Sequence, residues 1–430
     1  MDDTKNAGPS VEEIVAACRA LEGDATAMLT DLVRLDSTLG NEGPAQAYMA
    51  RAFADLGLEV DQFAIDLDAI RDRPGFSPVD WSVEGKTNVV ATHRPRREAG
   101  RSLILNGHID VVPTGPADMW TDPPFAPVVR DGRMYGRGAG DMKAGIVAYC
   151  TAFRALARLG LAPAARVHMQ SVVEEECTGN GALACLARGY RADAAVIPEP
   201  FDHEILTAQM GVMWFRVSLR GRPAHVLDTS AGINAIEAAF HLVRALKALE
   251  ERWNAPERRH PAYADHSHPI NFNLGVIRGG EWPSSVPTEC AFEMRVGFFP
   301  GVALGDVRRE IEETVARASE GYPGLSENPP RIDYMGFQAE GCTLDPDGEM
   351  MRLLADSHRA VLATAPRFSA STATTDARFF NLYGDIPATC YGPRADSIHG
   401  IDESVDLASL HEVSRVLAVF IARWCGTEPA

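Results

Sequence analysis

The sequence predicts an α/β fold, a mixed sheet with helices on both faces, with a smaller α+β layer inserted in it. Three observations predict this. Apolar runs of strand length alternate with helix-period segments through the first half of the chain. From Gly211 onward the spacing changes to apolar-polar alternation, the mark of a sheet with one solvated face. Near the tail, helical and strand patterns of the first type return.

The elements follow in order. "SVEEIVAACRALEGDATAMLTDLVRLDS" has helical apolar spacing, with Ser10 as its N-cap. "QAYMARAFADLGLEV" reads as helix, Gly stop and strand, and "TNVVATH" and "SLILNGHID" as strands. "KAGIVAYCTAFRALARLGLAP" is an apolar, buried helix, and "ARVHMQSVVEEE" a strand. "GNGALACLARGY" is a helix, and "ADAAVIPEP" a strand. In the second layer, "GVMWFRVSLRGRPAH" is a half-exposed strand and "GINAIEAAFHLVRALKALEERWN" an amphipathic helix. "HPINFNLGVIRGGEWPSSVPTECAFEMRVGFFPG" supplies two more strands, and "VALGDVRREIEETVARASEG" a helix. After "YPGLSENPP" the strand "RIDYMGF" begins the return to the first layer. There "EMMRLLADSHRAVLA" is helical, "IPATCYGP" a strand and "DLASLHEVSRVLAVFIARWC" the closing helix. The expected division is residues 1–210 and 326–430 for the larger domain and 211–325 for the smaller.

Composition narrows the function. With 46% apolar and 23% charged residues among 430, the chain can bury a sizeable core. A net charge of −18 argues against nucleic acid as a partner, since phosphate binding needs clustered Lys and Arg. No apolar run reaches the length of a membrane span, and "MDDTKNAGPSVEEIVAAC" lacks the basic-then-apolar order of a secretory leader. The eight cysteines form no CxxC pairs and several sit in apolar runs. Buried reduced thiols in a cytoplasmic protein are therefore expected.

Ligand-type residues cluster at strand ends. "LILNGHID" ends in His108 and Asp110, "SVVEEE" in Glu174, Glu175 and Glu176, and "AVIPEP" in Glu199. His399 follows "IPATCYGP", and Asp141 sits in a Gly-rich loop before a helix. Each has a plain alternative: a hydrogen-bonded His-Asp pair, an N-cap for Asp141, a solvated acidic face, a loop Glu and a surface His. Together at strand carboxyl ends they point elsewhere, because buried carboxylates repel one another unless a cation neutralises them. Two imidazoles and three carboxylates make a mixed N/O set suited to Zn²⁺, or to Mn²⁺ or Co²⁺.

At "GHIDVVP", "WTDPPFAPVVRDGRMYGRGAGDMKAG", "EEECTGNG", "IPEP", "GRPAH...GINAIEAA", "TTDARFF", "YGP" and "HGIDESVDL" the chain resembles a known family. This is the co-catalytic zinc amidohydrolase and peptidase family of acetylornithine deacetylase, succinyl-diaminopimelate desuccinylase, aminoacylase and glutamate carboxypeptidase. The resemblance implies two divalent cations per chain, most often zinc. His108 and Glu199 would hold one, Glu176 and His399 the other, and Asp141 would bridge them. Asp110 would orient His108 by accepting its second ring N–H. The family's Glu-Glu pair is followed by a Gly five residues past the ligand. Gly181 stands five past Glu176, which makes Glu175 the general base and leaves Glu174 extra; the other register would make Glu174 the base.

The implied reaction is amide hydrolysis, with Glu175 moving a proton from water to the leaving nitrogen. His225 matches a smaller-domain histidine that, in dimeric members, reaches the partner's active site to stabilise the oxyanion; alternatively it is a turn residue. Arg295 matches the family's carboxylate-binding Arg, with a structural ion pair as the alternative. Ser284 stands where many members have Asn, which puts substrate contacts there in doubt. Arg378 is a further substrate candidate, or an exposed helix residue. The expectation is an N-acyl amino acid or related small amide as substrate and a homodimer formed through the smaller domain. A dipeptidase or carboxypeptidase, or an enzyme for a carbamoyl, formyl or aromatic amide, would use the same machinery. A non-catalytic binding protein of this fold is the reading from outside enzymes, and the intact ligand set weighs against it.

Overall fold

Ser10 opens the first helix. In the computed structural model, which describes residues 8–430, its hydroxyl accepts the Glu13 N–H while the Glu13 carboxylate accepts the Ser10 N–H. This is the reciprocal cap that Ser-x-x-Glu encodes. Residues 1–7 lie outside the described ones, and with them part of the stretch read as lacking a leader.

The main sheet has six strands in the order Glu59–Ala64, Thr87–His93, Val167–Val172, Leu103–His108, Ala194–Ile197 and Ala388–Cys390. The first two join antiparallel, and the last four are mutually parallel. Leu103–His108, Val167–Val172 and Ala194–Ile197 are buried at every residue, as strands covered on both faces must be. On one face Val89, Ala91 and Met169 join the core shared with helices Gly43–Asp55, Ala144–Arg158 and Leu407–Cys425. On the other, Val90 and Val172 meet Cys185 of helix Asn180–Ala187. Helix Ala144–Arg158 packs so tightly that a Cβ on Gly145 would lie 2.2 Å from the Pro198 carbonyl oxygen. The four parallel strands have their carboxyl ends along one edge, which is where such sheets place their chemistry.

The second sheet is antiparallel throughout, in the order Phe272–Gly279, Glu289–Phe298, Gly211–Arg220 and Arg331–Ala339. Phe215, Phe292, Leu242 and Ile311 build a separate core under helices Ala235–Trp253 and Leu304–Glu320. The alternating burial of Gly211–Arg220 leaves the opposite face partly solvated. Here the expected boundary needs correction. "RIDYMGF" does not return to the first layer: Arg331–Ala339 pairs with Gly211–Arg220, with Ser218 opposite Arg331 and Val212 opposite Ala339. The free edge of Gly211–Arg220 takes up the strand, so the smaller layer runs to residue 339 rather than 325.

A four-stranded ribbon was not foreseen. It joins Ala395–Asp396, Ser404–Asp406, Arg133–Tyr135 and Val128–Arg130, strands too short to show a period. It ties the segment carrying His399 to the segment leading into Asp141. All eight cysteines are buried and free. Among the described residues no helix is long and apolar enough to cross a membrane.

Candidate metal centre

His108 is the last residue of its strand and is buried. Its Nδ1 lies 2.9 Å from the main-chain carbonyl oxygen of Asp110, which leaves Nε2 facing the other ligand-type residues. The Asp110 carboxylate is 3.7 Å from Nδ1, too far for a hydrogen bond. The expected orienting contact is therefore corrected: the carbonyl of Asp110 makes it. The carboxylate instead accepts the N–H groups of Glu175 at 3.4 Å and Glu176 at 3.1 Å, tying the His108 strand end to the acidic turn.

Asp141 makes no capping bond to the following helix, so the N-cap alternative fails. Its oxygens address different histidines. Oδ1 is 3.1 Å from His108 Nε2, and Oδ2 is 3.4 Å from His399 Nε2. Around His108 Nε2 stand Glu199 at 3.8 Å and Glu175 at 3.9 Å. Around His399 Nε2 stands Glu176 at 3.1 Å. Ligand atoms of His108, Glu175 and Glu199 lie within 4.8 Å of one another, as do those of His108, Asp141 and Glu176. His399 belongs to neither compact set. It sits half-exposed at the rim and reaches the centre through Asp141 and Glu176.

The electrostatics show what this packing costs. Burial pushes the Glu175 carboxyl well above the ordinary range, against the pull of His108, and raises Glu199 to about 7. Burial alone would also raise Asp141, but hydrogen bonds from His108 and His399 hold it below its usual value. Burial lowers His399, yet the Glu176 charge and the bond to Asp141 outweigh it and push the imidazole up to about 11. Glu176 Oε1 is buried without any hydrogen-bond partner. An orphaned carboxylate oxygen beside two imidazoles and three more carboxylates is a donor set that fits divalent cations.

The acidic triplet divides cleanly. Glu174 turns away from this centre, with φ 68°. Its carboxylate accepts from Lys86 Nζ at 2.5 Å, Trp81 Nε1 at 2.8 Å and Thr178 Oγ1 at 2.8 Å; Glu174, Lys86 and Thr178 are buried and Trp81 is part-buried. Glu174→Ala would leave Lys86 with only Glu42, at 3.4 Å. Breaking a buried pair in this way is expected to cost about 3–5 kcal/mol, read as a lower urea midpoint. An unchanged midpoint would contradict the structural role.

Arg378 is not a substrate contact. It is fully buried, with Nη1 donating to the Thr375 carbonyl at 3.0 Å and Nη2 to the Thr178 carbonyl at 2.7 Å. Its guanidinium lies 4.2 Å from the centre of the Phe379 ring, so the planar fork braces two loops beneath the centre. Arg295, on Glu289–Phe298, reaches toward the larger layer, where Nη2 meets the Thr372 carbonyl at 3.4 Å. Among the described residues Arg295 forms no ion pair, and burial alone acts on its guanidinium, so the structural ion pair is absent. His225 and Ser284 are both exposed in the smaller layer. His225 caps a short turn through Nδ1, which accepts the Leu227 N–H at 3.0 Å, and bridges to Ser285.

Two buried acids were missed. Asp376, within "TTDARFF", keeps both carboxylate oxygens buried and unpartnered, and its charge bears on Glu175. Glu403 pairs with Arg137 beside the Asp141 loop. Their one sequence signal is that both lie in stretches that carry the family resemblance; taken residue by residue, neither differs from a solvated acid. A cavity of about 740 Å³ lined by Arg101, Val302, Met350 and Trp424 lies elsewhere and contains none of the ligand-type residues.

Residues 104–423 match peptidase family M20/M25/M40. The chain is 28% identical to N-formyl-4-amino-5-aminomethyl-2-methylpyrimidine deformylase of Halalkalibacterium halodurans, across 96% of this chain and 97% of the deformylase. It is 26% identical to succinyl-diaminopimelate desuccinylase of Cupriavidus taiwanensis, across 91% and 96% of the two chains. The fold is similar to that of the dipeptidase Dug1p from Saccharomyces cerevisiae, with a TM-score of 0.79 at 14% identity over 98% of this chain and 99% of that one.

Proposed function

The chain belongs to peptidase family M20/M25/M40 and is a metal-dependent hydrolase of C–N amide bonds, and from that premise we propose that it removes a short acyl group from a small amine. The observation that carries the proposal is Asp141, whose two oxygens face two different histidines while Glu175 stands beside one of them. In this reading His108, Asp141 and Glu199 hold one divalent cation and Asp141, Glu176 and His399 a second, both zinc, with cobalt or manganese as substitutes. When bound, such a pair lowers the pKa of a water and polarises the amide carbonyl.

The remaining work falls to the chain. Asp110 fixes the turn on which Glu175 and Glu176 sit. Glu175 accepts the proton of the attacking water and delivers it to the departing nitrogen. Its carboxylate is buried and stands 3.9 Å from His108 Nε2, beside the cation position where the water would be held. Arg295, its guanidinium free of carboxylates, is suited to bind a carboxylate on the substrate. Ser284, shorter than Asn, makes a smaller contact at its position.

His225 donates to the oxyanion across a homodimer formed through the smaller layer. Two features support this. The tip around His225 and Ser284 exposes apolar side chains, Leu227 at 90% and Trp282 at 69%, as a docking element would. Strand Phe272–Gly279 is also an edge strand of its sheet. His225→Ala is expected to lower kcat about a hundredfold with metals retained. Mixed dimers of His225→Ala and Glu175→Gln chains should recover activity, since one site then holds both intact groups. Verified heterodimers with no recovery contradict the trans role. Eight free buried thiols suit a reducing compartment, and we read the enzyme as cytoplasmic.

Substrate class is tested by a panel. N-formyl, N-acetyl and N-succinyl amines, with and without a carboxylate on the amine half, are compared with dipeptides at saturating metal. The proposal expects the best kcat/KM on an N-acyl amine, with the deformylase and desuccinylase relatives indicating the acyl groups to try first. Dipeptides turned over best, with all N-acyl amines inert, contradict it.

A further inference from the structure

The loop bearing His399 and the loop bearing Asp141 are locked together by one buried carboxylate that contacts neither imidazole. Glu403 lies four residues beyond His399. Its Oε1 accepts the main-chain N–H of Gly140 at 3.0 Å and of Asp141 at 3.1 Å. Its Oε2 accepts from Arg137 Nη1 at 2.5 Å, and its main-chain carbonyl accepts the Gly136 N–H at 2.9 Å. Arg137 and Glu403 are both shielded from solvent, and Arg137 also donates to the Pro113 carbonyl at 3.2 Å. The neighbouring Asp402 ties the same loop outward, accepting the N–H and hydroxyl of Thr121 at 2.9 and 2.7 Å. Close packing completes the clamp: a Cβ on Gly140 would meet Ala395 Cβ at 2.6 Å.

His399 and Asp402 both adopt left-handed backbone conformations, at φ 62° and 56°. Non-glycine residues hold such angles only where surrounding contacts over-determine them. The clamp supplies those contacts, and it sets where the loop presents His399 to the second oxygen of Asp141.

We infer that Glu403 is a positioning residue for the Asp141–Glu176–His399 cation site, joining the two loops so that this site forms as a unit. The inference rests on the two-cation reading above. It differs from that reading in predicting a graded effect: Asp141 is shared by both sites, but only the Asp141–Glu176–His399 site also takes His399 from the loop that Glu403 holds, while His108 and Glu199 sit on strand ends that Glu403 does not touch. Glu403→Gln keeps an oxygen for the Gly140 and Asp141 amides but turns an NH₂ group toward Arg137, two donors facing each other. Gly140→Ala forces the loops apart while leaving Glu403 in place.

The test is a Zn²⁺ titration of chelator-stripped full-length protein by calorimetry, with melting temperature recorded for each metal-free sample. Wild type is expected to bind two equivalents. In Glu403→Gln one equivalent should weaken by about 10–100-fold, the usual cost of losing a group that orients ligands, while the other weakens clearly less. Gly140→Ala should repeat the pattern, and it decides the matter if Glu403→Gln does not fold. Two unchanged equivalents in the variants overturn the inference, as does equal weakening of both with a lowered melting temperature, which marks a merely structural clamp. Fewer than two equivalents in wild type overturns the two-cation reading itself.

Discussion

Asp141→Ala abolishes hydrolysis and metal binding together. One side chain places an oxygen 3.1 Å from His108 Nε2 and the other 3.4 Å from His399 Nε2, so it serves both halves of the centre. Removing it takes the shared anion from between two cation positions and leaves Glu175, Glu176 and Glu199 around a gap. Remaining ligands on each side would be too few to hold an ion against water. The expected result is less than about one-tenth of wild-type metal content and no measurable turnover, the behaviour of a ligand shared by a two-metal site. Elemental analysis after gel filtration and an assay on the best N-acyl amine read both quantities. A variant that retains two metals and normal rates would sink the bridging assignment.

Glu175→Gln separates the two quantities. The amide keeps the shape of the carboxylate and its place beside His108, but it cannot take a proton. Turnover is expected to fall by about two to four decades while both metals stay bound, the usual worth of a positioned general base. KM should change little, because the loss is confined to the transition state. Glu174→Gln is the matched comparison. Its partners are Lys86, Trp81 and Thr178, so it should lose stability and keep the proton-transfer step. The opposite pattern, with Glu174→Gln slow and metal-loaded, would move the base by one residue.

The strand-end histidine and acids were legible because they break a local rule: apolar strands have no use for His, Asp or Glu at their ends. Their convergence follows from parallel strands, which the alternation of patterns already implied. Pairing partners were less legible. Arg331–Ala339 carries no mark saying which sheet will take it, and the free edge of Gly211–Arg220 decided that in three dimensions. Arg378 shows the same limit for a side chain. An Arg in "TTDARFF" looks destined for solvent until two carbonyls from distant loops converge on its guanidinium. Glu403 and Asp376 stayed hidden because burial distinguishes a structural or functional acid from a solvated one, and burial depends on long-range packing. For Asp110 the position was legible but the working atom was not: its carbonyl, a group every residue has, holds His108.

A two-cation centre built on Asp141 is proposed to drive amide hydrolysis. It is tested most directly by stripping the purified protein with a chelator and adding Zn²⁺ or Co²⁺ back in steps while following both bound metal and hydrolysis of an N-acyl amine. The expected result is an inactive stripped protein, activity that returns with added metal, and saturation at two ions per chain. Undiminished hydrolysis in the stripped protein, or full activity with no metal bound, would contradict it.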